Sequence, residues 1–372
     1  MLDSSRESKA LKVVDLLTQM VQAGASDLHL KVPARPTIRV VGELKEMEAW
    51  PKLRPEDTAA IFEQVTTEQQ RQVFWQEREL DLACSVAGLA RFRVNASLQR
   101  GTISLTFRTV PLSVPPLQEL GLPPACAELA LRPNGLILVT GPASSGRSTT
   151  LASLVQHINR NRRLHLVTIE DPIEFLHQDD QCLIAQREVG QDTHSFAEAL
   201  RRVLRQDPDV IMVGELRDAE TAALAFSAAE TGRLVLTSAT AVGAVASIER
   251  IIDMFPPIRQ AQARLQLAAT LEGVISQQLI PLPSGLGRVL ASEVLVATPA
   301  LRNLIREGKS QQVLAVMRAG SGLGMQTFEQ SLVRLISDGR LSFEVASSYV
   351  SNPSELQHLL YVDQVARQRP SS

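Results

Sequence analysis

Apolar residues at Val13, Val14, Leu17, Met20 and Val21 recur at helical spacing, and Gly24 follows where a helix commonly stops. This predicts an opening amphipathic helix. Short alternating segments come next, at Asp27 to Val32, Thr37 to Val41, Asp81 to Val86, Arg91 to Ser97 and Thr102 to Thr109. Period-two alternation predicts strands, so residues 1–110 read as a small α+β domain. Pro111, Pro115, Pro116, Pro123 and Pro124 then crowd one stretch, stiffening the chain and breaking regular pairing. Residues 111–130 therefore read as a linker.

Beyond Gly135, compact apolar runs at Leu136 to Thr140, Leu164 to Ile169, Val210 to Val213 and Leu234 to Thr237 alternate with segments of helical character. That alternation predicts an α/β domain over residues 131–364, with a mostly parallel sheet covered on both faces. Residues 365–372 are expected to form a disordered tail. Ligands of such sheets bind beyond the carboxyl ends of the strands, so the residues just after each run are the place to look for chemistry.

Composition narrows the function classes. A chain of 372 residues with 44% apolar and 21% charged positions buries a sizeable core and suits two domains. Its apolar runs fall far short of the ~20 residues that cross a bilayer. Met1 to Arg6 carries no apolar signal core, so a cytoplasmic protein without a transmembrane segment is expected. Cys84, Cys126 and Cys182 lack the close pairing of zinc or redox sites, and the histidines show no metal-ligand spacing. A formal charge of −2 with 4% aromatic residues argues against a nucleic-acid partner.

The first run of the second domain leads into Gly141, Pro142, Ala143, Ser144, Ser145, Gly146, Arg147, Ser148 and Thr149, followed by a helical segment through Leu151, Leu154 and Ile158. This nearly fits the phosphate-binding loop, in which glycines let backbone amides wrap phosphates, a lysine reaches the outer phosphates and the next hydroxyl binds magnesium. Arg147 stands in the lysine's place. It keeps the charge but is a bulkier planar fork, so binding is expected to survive better than catalysis. After the second run come Glu170, Asp171 and Glu174, able to orient water or hold magnesium, and after the third comes Glu215 at a Walker B position. Ser148 and Glu215 are the expected magnesium-side groups of an ATP site.

These motifs resemble those of the hexameric secretion and type IV pilus ATPases, and within them the twitching-motility retraction subfamily. Residues 25–30, 90–95 and 107–109 are similar to that family's N-terminal domain, 168–175 to its aspartate box and 207–218 to its Walker B segment. Residues 300–307 are similar to the motif associated with retraction, with Leu301 where isoleucine is usual. The resemblance implies a PAS-like domain followed by a RecA-like domain, assembled as a hexamer with nucleotide at subunit junctions. It implies ATP-driven disassembly of pilin filaments through a platform protein of the inner membrane, and hence a place at that membrane's cytoplasmic face. By the same resemblance Glu174 activates water and Glu215 is the Walker B acid, while Arg93 and Arg108, with Arg91 and Arg100, are candidates to reach a nucleotide from the N-terminal domain.

This chain departs from the family pattern at Ala143, Ser144 and Arg147, and at Arg233 and Thr240, where the resemblance implies histidines. Ser144 replaces a glycine whose conformational freedom serves the loop where the backbone meets phosphate. Arg147, Arg233 and Thr240 are expected to meet at one site. Two readings stay open: a motor that hydrolyses ATP, in a homo-hexamer, and a catalytically weak nucleotide-binding subunit in a mixed ring with a paralogous ATPase. A DNA-moving hexamer, argued from fold alone, fits the charge balance poorly.

Overall fold

A computed structural model describes residues 11–111, 113–282 and 287–368. The opening residues read for a signal segment, and 369–372 of the expected tail, lie outside the described residues. The chain divides into two compact units, Met1–Ser113 and Val114–Ser372.

In the first unit, α1 (Val13–Gln22) buries Val13, Leu16, Leu17 and Met20, one face at helical spacing, and Gly24 ends the turn at φ +62°. The stripe differs slightly from the sequence reading, since Val14 is 45% exposed. Strands β1 (Asp27–Leu30), β2 (Thr37–Val40) and β3 (Glu43–Glu46) precede α2 (Pro55–Val65) and α3 (Glu68–Glu77). A reciprocal capping box between Thr67 and Gln70 starts α3. Then β4 (Glu79–Val86), β5 (Ala90–Gln99) and β6 (Thr102–Val110) complete an antiparallel six-stranded sheet in the order β3-β2-β1-β6-β5-β4. Alternation along β5 and β6 turns Phe92, Val94, Ile103, Leu105 and Phe107 into the core and leaves Arg93, Asn95 and Arg108 on the other face.

In the second unit a short 3-10 turn, Leu117–Leu120, and α4 (Ala125–Ala130) lead into β7 (Gly135–Thr140). Leu117, Cys126 and Leu129 are buried with Ile137, Val139 and Leu154, and Ser153 Oγ donates to Pro115 O at 2.7 Å. The stretch expected as a linker is therefore packed from Pro115 onward: its apolar side chains, interspersed among the prolines, outweigh the chain-breaking signal. Next come α5 (Arg147–Asn161), β8 (His165–Glu170), β9 (Leu183–Glu188), α6 (Phe196–Val203), β10 (Val210–Val213), α7 (Ala219–Glu230) and β11 (Leu234–Ala239). They are followed by α8 (Ala244–Asp253), α9 (Pro257–Thr270), β12 (Leu271–Pro281), β13 (Arg288–Val296) and α10 (Pro299–Arg306). Helices α11 (Val313–Ala319), α12 (Phe328–Ser337), α13 (Phe343–Ser347) and α14 (Pro353–Gln368) close the chain, so residues 365–368 of the expected tail are helical.

The seven-stranded sheet runs β13-β12-β7-β11-β10-β8-β9, parallel except between β12 and β13. Every residue of β7, β10 and β11 is buried, as expected of strands covered on both faces. The carboxyl ends of β7, β8, β10 and β11 thus share one edge, and the loops leaving them converge there.

Candidate nucleotide-binding site

The turn between β7 and α5 holds residues 141–146 in conformations that the side chains only partly suit. Gly141 sits at φ +152°, and a Cβ there would lie 2.3 Å from Gln277 O and 2.4 Å from Ser145 Oγ, so glycine is required. Ser144 lies at φ +62°, the left-handed region that a glycine enters at no cost. The sequence reading of Ser144 as a residue in a glycine's position therefore has a backbone counterpart. Gln277 of β12 donates from Nε2 to Ser145 O at 2.8 Å, holding the loop from the neighbouring strand.

No side chain caps α5, whose N-cap is Gly146. Its first amides lack partners within the helix and point, with the positive end of the helix dipole, out of the loop. Such an end receives an anion, a phosphate in particular.

Beside it lies a pocket of about 210 Å³ lined by Arg147, Ser148, Asp171, Glu174, Glu215 and Arg217 among others. The structure thus brings together the loop, both candidate acids and the residues after β8 and β10. Arg147 Nη1 donates to Thr240 Oγ1 at 2.7 Å and to Glu215 Oε1 at 3.3 Å, and Thr240 Oγ1 donates to Glu215 Oε1 at 3.0 Å. Arg217 donates from Nε to Glu215 Oε2 at 2.9 Å and from Nη1 to Asp171 Oδ2 at 2.7 Å, with its guanidinium 5.5 Å from the Phe196 ring centre. Burial pushes the Glu215 carboxyl up, but hydrogen bonds from Arg217 and Thr240 and the charges of Arg147 and Arg217 outweigh it and hold it below its usual range.

A buried layer supports this one. Glu170 accepts from Thr168 Oγ1 at 2.7 Å, Gln186 Nε2 at 3.1 Å and the Glu174 amide at 3.3 Å. Burial raises its pKa against those hydrogen bonds. Glu188 accepts the Ile173 amide at 3.0 Å. Together they fix the backbone that carries Glu174.

The family model described as type II/IV secretion system protein matches residues 107–286. Over 343 residues the chain is 43% identical to the type IV pilus retraction ATPase PilT of Pseudomonas aeruginosa, covering 92% of this chain and 99% of that protein. The chain belongs to this family of pilus and secretion ATPases. It is also 39% identical over 345 residues to the type IV pilus ATPase PilU of the same organism, covering 93% of this chain and 90% of that one. The crystal structure of the pilus retraction motor PilT with bound ADP matches it with a TM-score of 0.86 at 44% identity, over 94% of this chain and 99% of that one.

Within this pilus-ATPase chain, one expected neighbour is elsewhere. Arg233 precedes β11, at the strand's opposite end from Thr240, and donates from Nη1 to Thr231 O at 2.9 Å. The whole of β11, roughly 20 Å of extended chain, separates Arg233 from Thr240. Arg147 and Thr240 meet at the pocket; within one chain Arg233 cannot join them. Arg93 and Arg108 are cross-strand partners in the first unit, and Arg108 Nε donates to the buried Asp27 at 2.8 Å. Arg91 donates from Nη1 to Ser85 Oγ at 3.2 Å, and Arg100 forms the β5–β6 turn with Gly101.

Sequence reasoning missed Arg217 and Gln277 as parts of the site. Arg217 stands two positions after Glu215, the spacing at which neighbours in extended chain share a side, and that signal was available. Nothing local marks Gln277, which reaches the loop from 132 residues away.

The residues present do not fit magnesium. Both Glu215 oxygens are occupied by arginine and threonine donors, Asp171 is held by Arg217, and Glu170 is turned into the buried layer. Ser148 keeps the hydroxyl that a phosphate loop turns to magnesium, so the misfit lies at the acids. Among the described residues no group of three or more His, Cys, Asp or Glu is arranged to hold a metal ion. No helix among them is long and apolar enough to cross a membrane.

Proposed function

We propose that this chain is a retraction-type pilus ATPase subunit. It binds ATP with the phosphates on the amides of residues 141–149, Glu174 directs water at the outer phosphate, and Glu215 orders the cations around it. Binding and release of nucleotide shift the two domains of each subunit within a hexamer. That motion drives removal of pilin from the filament through a platform protein, at the cytoplasmic face of the inner membrane. Arg93 and Arg108 serve at the nucleotide across the subunit junction. The observation that carries this reading is the convergence of Arg147, Ser148, Glu174 and Glu215 on one pocket, in a chain 43% identical to a retraction ATPase over nearly its full length.

A second reading is favoured by the Arg147 to Glu215 contact, which ties up the acid that a fast enzyme needs free. In it the chain hydrolyses ATP poorly and works in a ring with a competent paralogue.

Deleting the gene from its host and returning it tests both. The first reading predicts fewer retraction events and smaller twitching zones, restored by this chain even where the paralogous ATPase is absent. Restoration only beside the paralogue favours the second reading. Unchanged twitching and piliation after deletion would overturn both.

A further inference from the structure

The acid that would face the metal in this pocket is already neutralised by protein. Glu215 Oε1 accepts from Arg147 Nη1 and Thr240 Oγ1, at 3.3 and 3.0 Å, and Oε2 accepts from Arg217 Nε at 2.9 Å. With Asp171 on Arg217 Nη1 at 2.7 Å, Arg147, Glu215, Arg217 and Asp171 alternate in sign and balance one another, and the carboxylates of Glu170 and Glu174 line the pocket beside them. Magnesium demands near-ideal octahedral oxygen geometry at about 2.0–2.1 Å. To reach Glu215 it would have to displace a guanidinium or sit against one, with like charge repelling like in a half-buried place where screening is weak.

We propose that this pocket takes its nucleotide without magnesium, with the Arg147 guanidinium supplying the positive charge at Glu215 and at the outer phosphates. The inference rests on the nucleotide-binding reading above. Its chemistry follows from the side chain. Arg147 is anchored through Nη1, and a guanidinium carries five N–H donors in a rigid fork, so the remaining donors face a phosphate while the first holds Glu215. Forked donors match the paired oxygens of a phosphate, and the pair is charge-assisted. A lysine has one nitrogen for both tasks. Arg147 is thereby a specificity-determining residue: it frees the site from dependence on magnesium, so that the free nucleotide anion binds as well as its magnesium complex.

Titration calorimetry of the full chain with ATP tests this directly, once with excess magnesium chloride and once with excess EDTA. The native chain should show dissociation constants that agree within about threefold in the two buffers. Arg147→Lys, which opens Glu215, should bind at least about tenfold more tightly with magnesium than without it. Native binding weakened about tenfold or more by EDTA would overturn the proposal and leave nucleotide binding intact. Absence of binding in both buffers would overturn the nucleotide reading and this inference with it. If circular dichroism shows that Arg147→Lys fails to fold, the two native titrations decide alone.

Discussion

Arg147 Nη1 lies 3.3 Å from Glu215 Oε1, and Thr240 Oγ1 bridges the two side chains at 2.7 and 3.0 Å. The arginine sits where a phosphate loop ordinarily places a lysine, and the acid follows β10 of the parallel core. Each side chain therefore occupies part of the other's chemistry. Both are less than a third exposed, so the pair is more than a surface ion pair.

Backbone conformation sets the first prediction. Gly141→Ala would push a methyl group against Gln277 O and Ser145 Oγ, at 2.3 and 2.4 Å. It should cost about 2–4 kcal/mol in chemical denaturation. Ser144→Gly should behave oppositely, neutral or stabilising by up to about 1 kcal/mol, because release of left-handed strain offsets the added freedom of the unfolded chain.

Arg302 carries a second prediction. In α10 it donates from Nη1 to Ala268 O and Ala269 O, at 3.2 and 2.8 Å, and from Nη2 to Glu272, clamping the end of α9. Arg302→Ala strands the buried Ala268 carbonyl and the half-buried Glu272 carboxylate and should cost about 2–3 kcal/mol in a urea titration. Arg302→Lys, which cannot fork, should recover less than half of the loss.

The depressed Glu215 carboxyl sets a pH dependence. Its folded-state pKa lies below the ordinary 4.5, so the stability it contributes is fully present above that value and is lost as pH falls through the lowered one. Glu215→Gln removes this contribution while keeping the shape. The gap in thermal midpoint between native and variant should be constant near neutrality and shrink below pH 4.5. A gap that widened in acid would assign the shift the wrong sign.

Local chemistry made much of this legible in sequence. Glycine spacing after an apolar run marked the phosphate loop, and Ser144 in a glycine's position anticipated its φ of +62°. Acids after successive strands fell together because parallel strands end on one edge. What sequence did not yield was pairing over distance. Only the fold places Gln277 on the loop and sets Arg217 between Glu215 and Asp171, whereas the run Leu234 to Thr237 already put Arg233 and Thr240 at opposite ends of one strand. The proline-bearing stretch misled for another reason, since Leu117, Cys126 and Leu129 find a core that proline spacing cannot reveal.

ATP turnover by the purified full chain, measured with magnesium present for the native form, Arg147→Lys and Glu215→Ala, tests the central claim most directly. The Arg147 to Glu215 contact predicts native turnover well below the ~10 s⁻¹ typical of enzymes, a rise on the order of tenfold or more in Arg147→Lys, and loss in Glu215→Ala. Native turnover at the typical rate, slowed by Arg147→Lys, would contradict it.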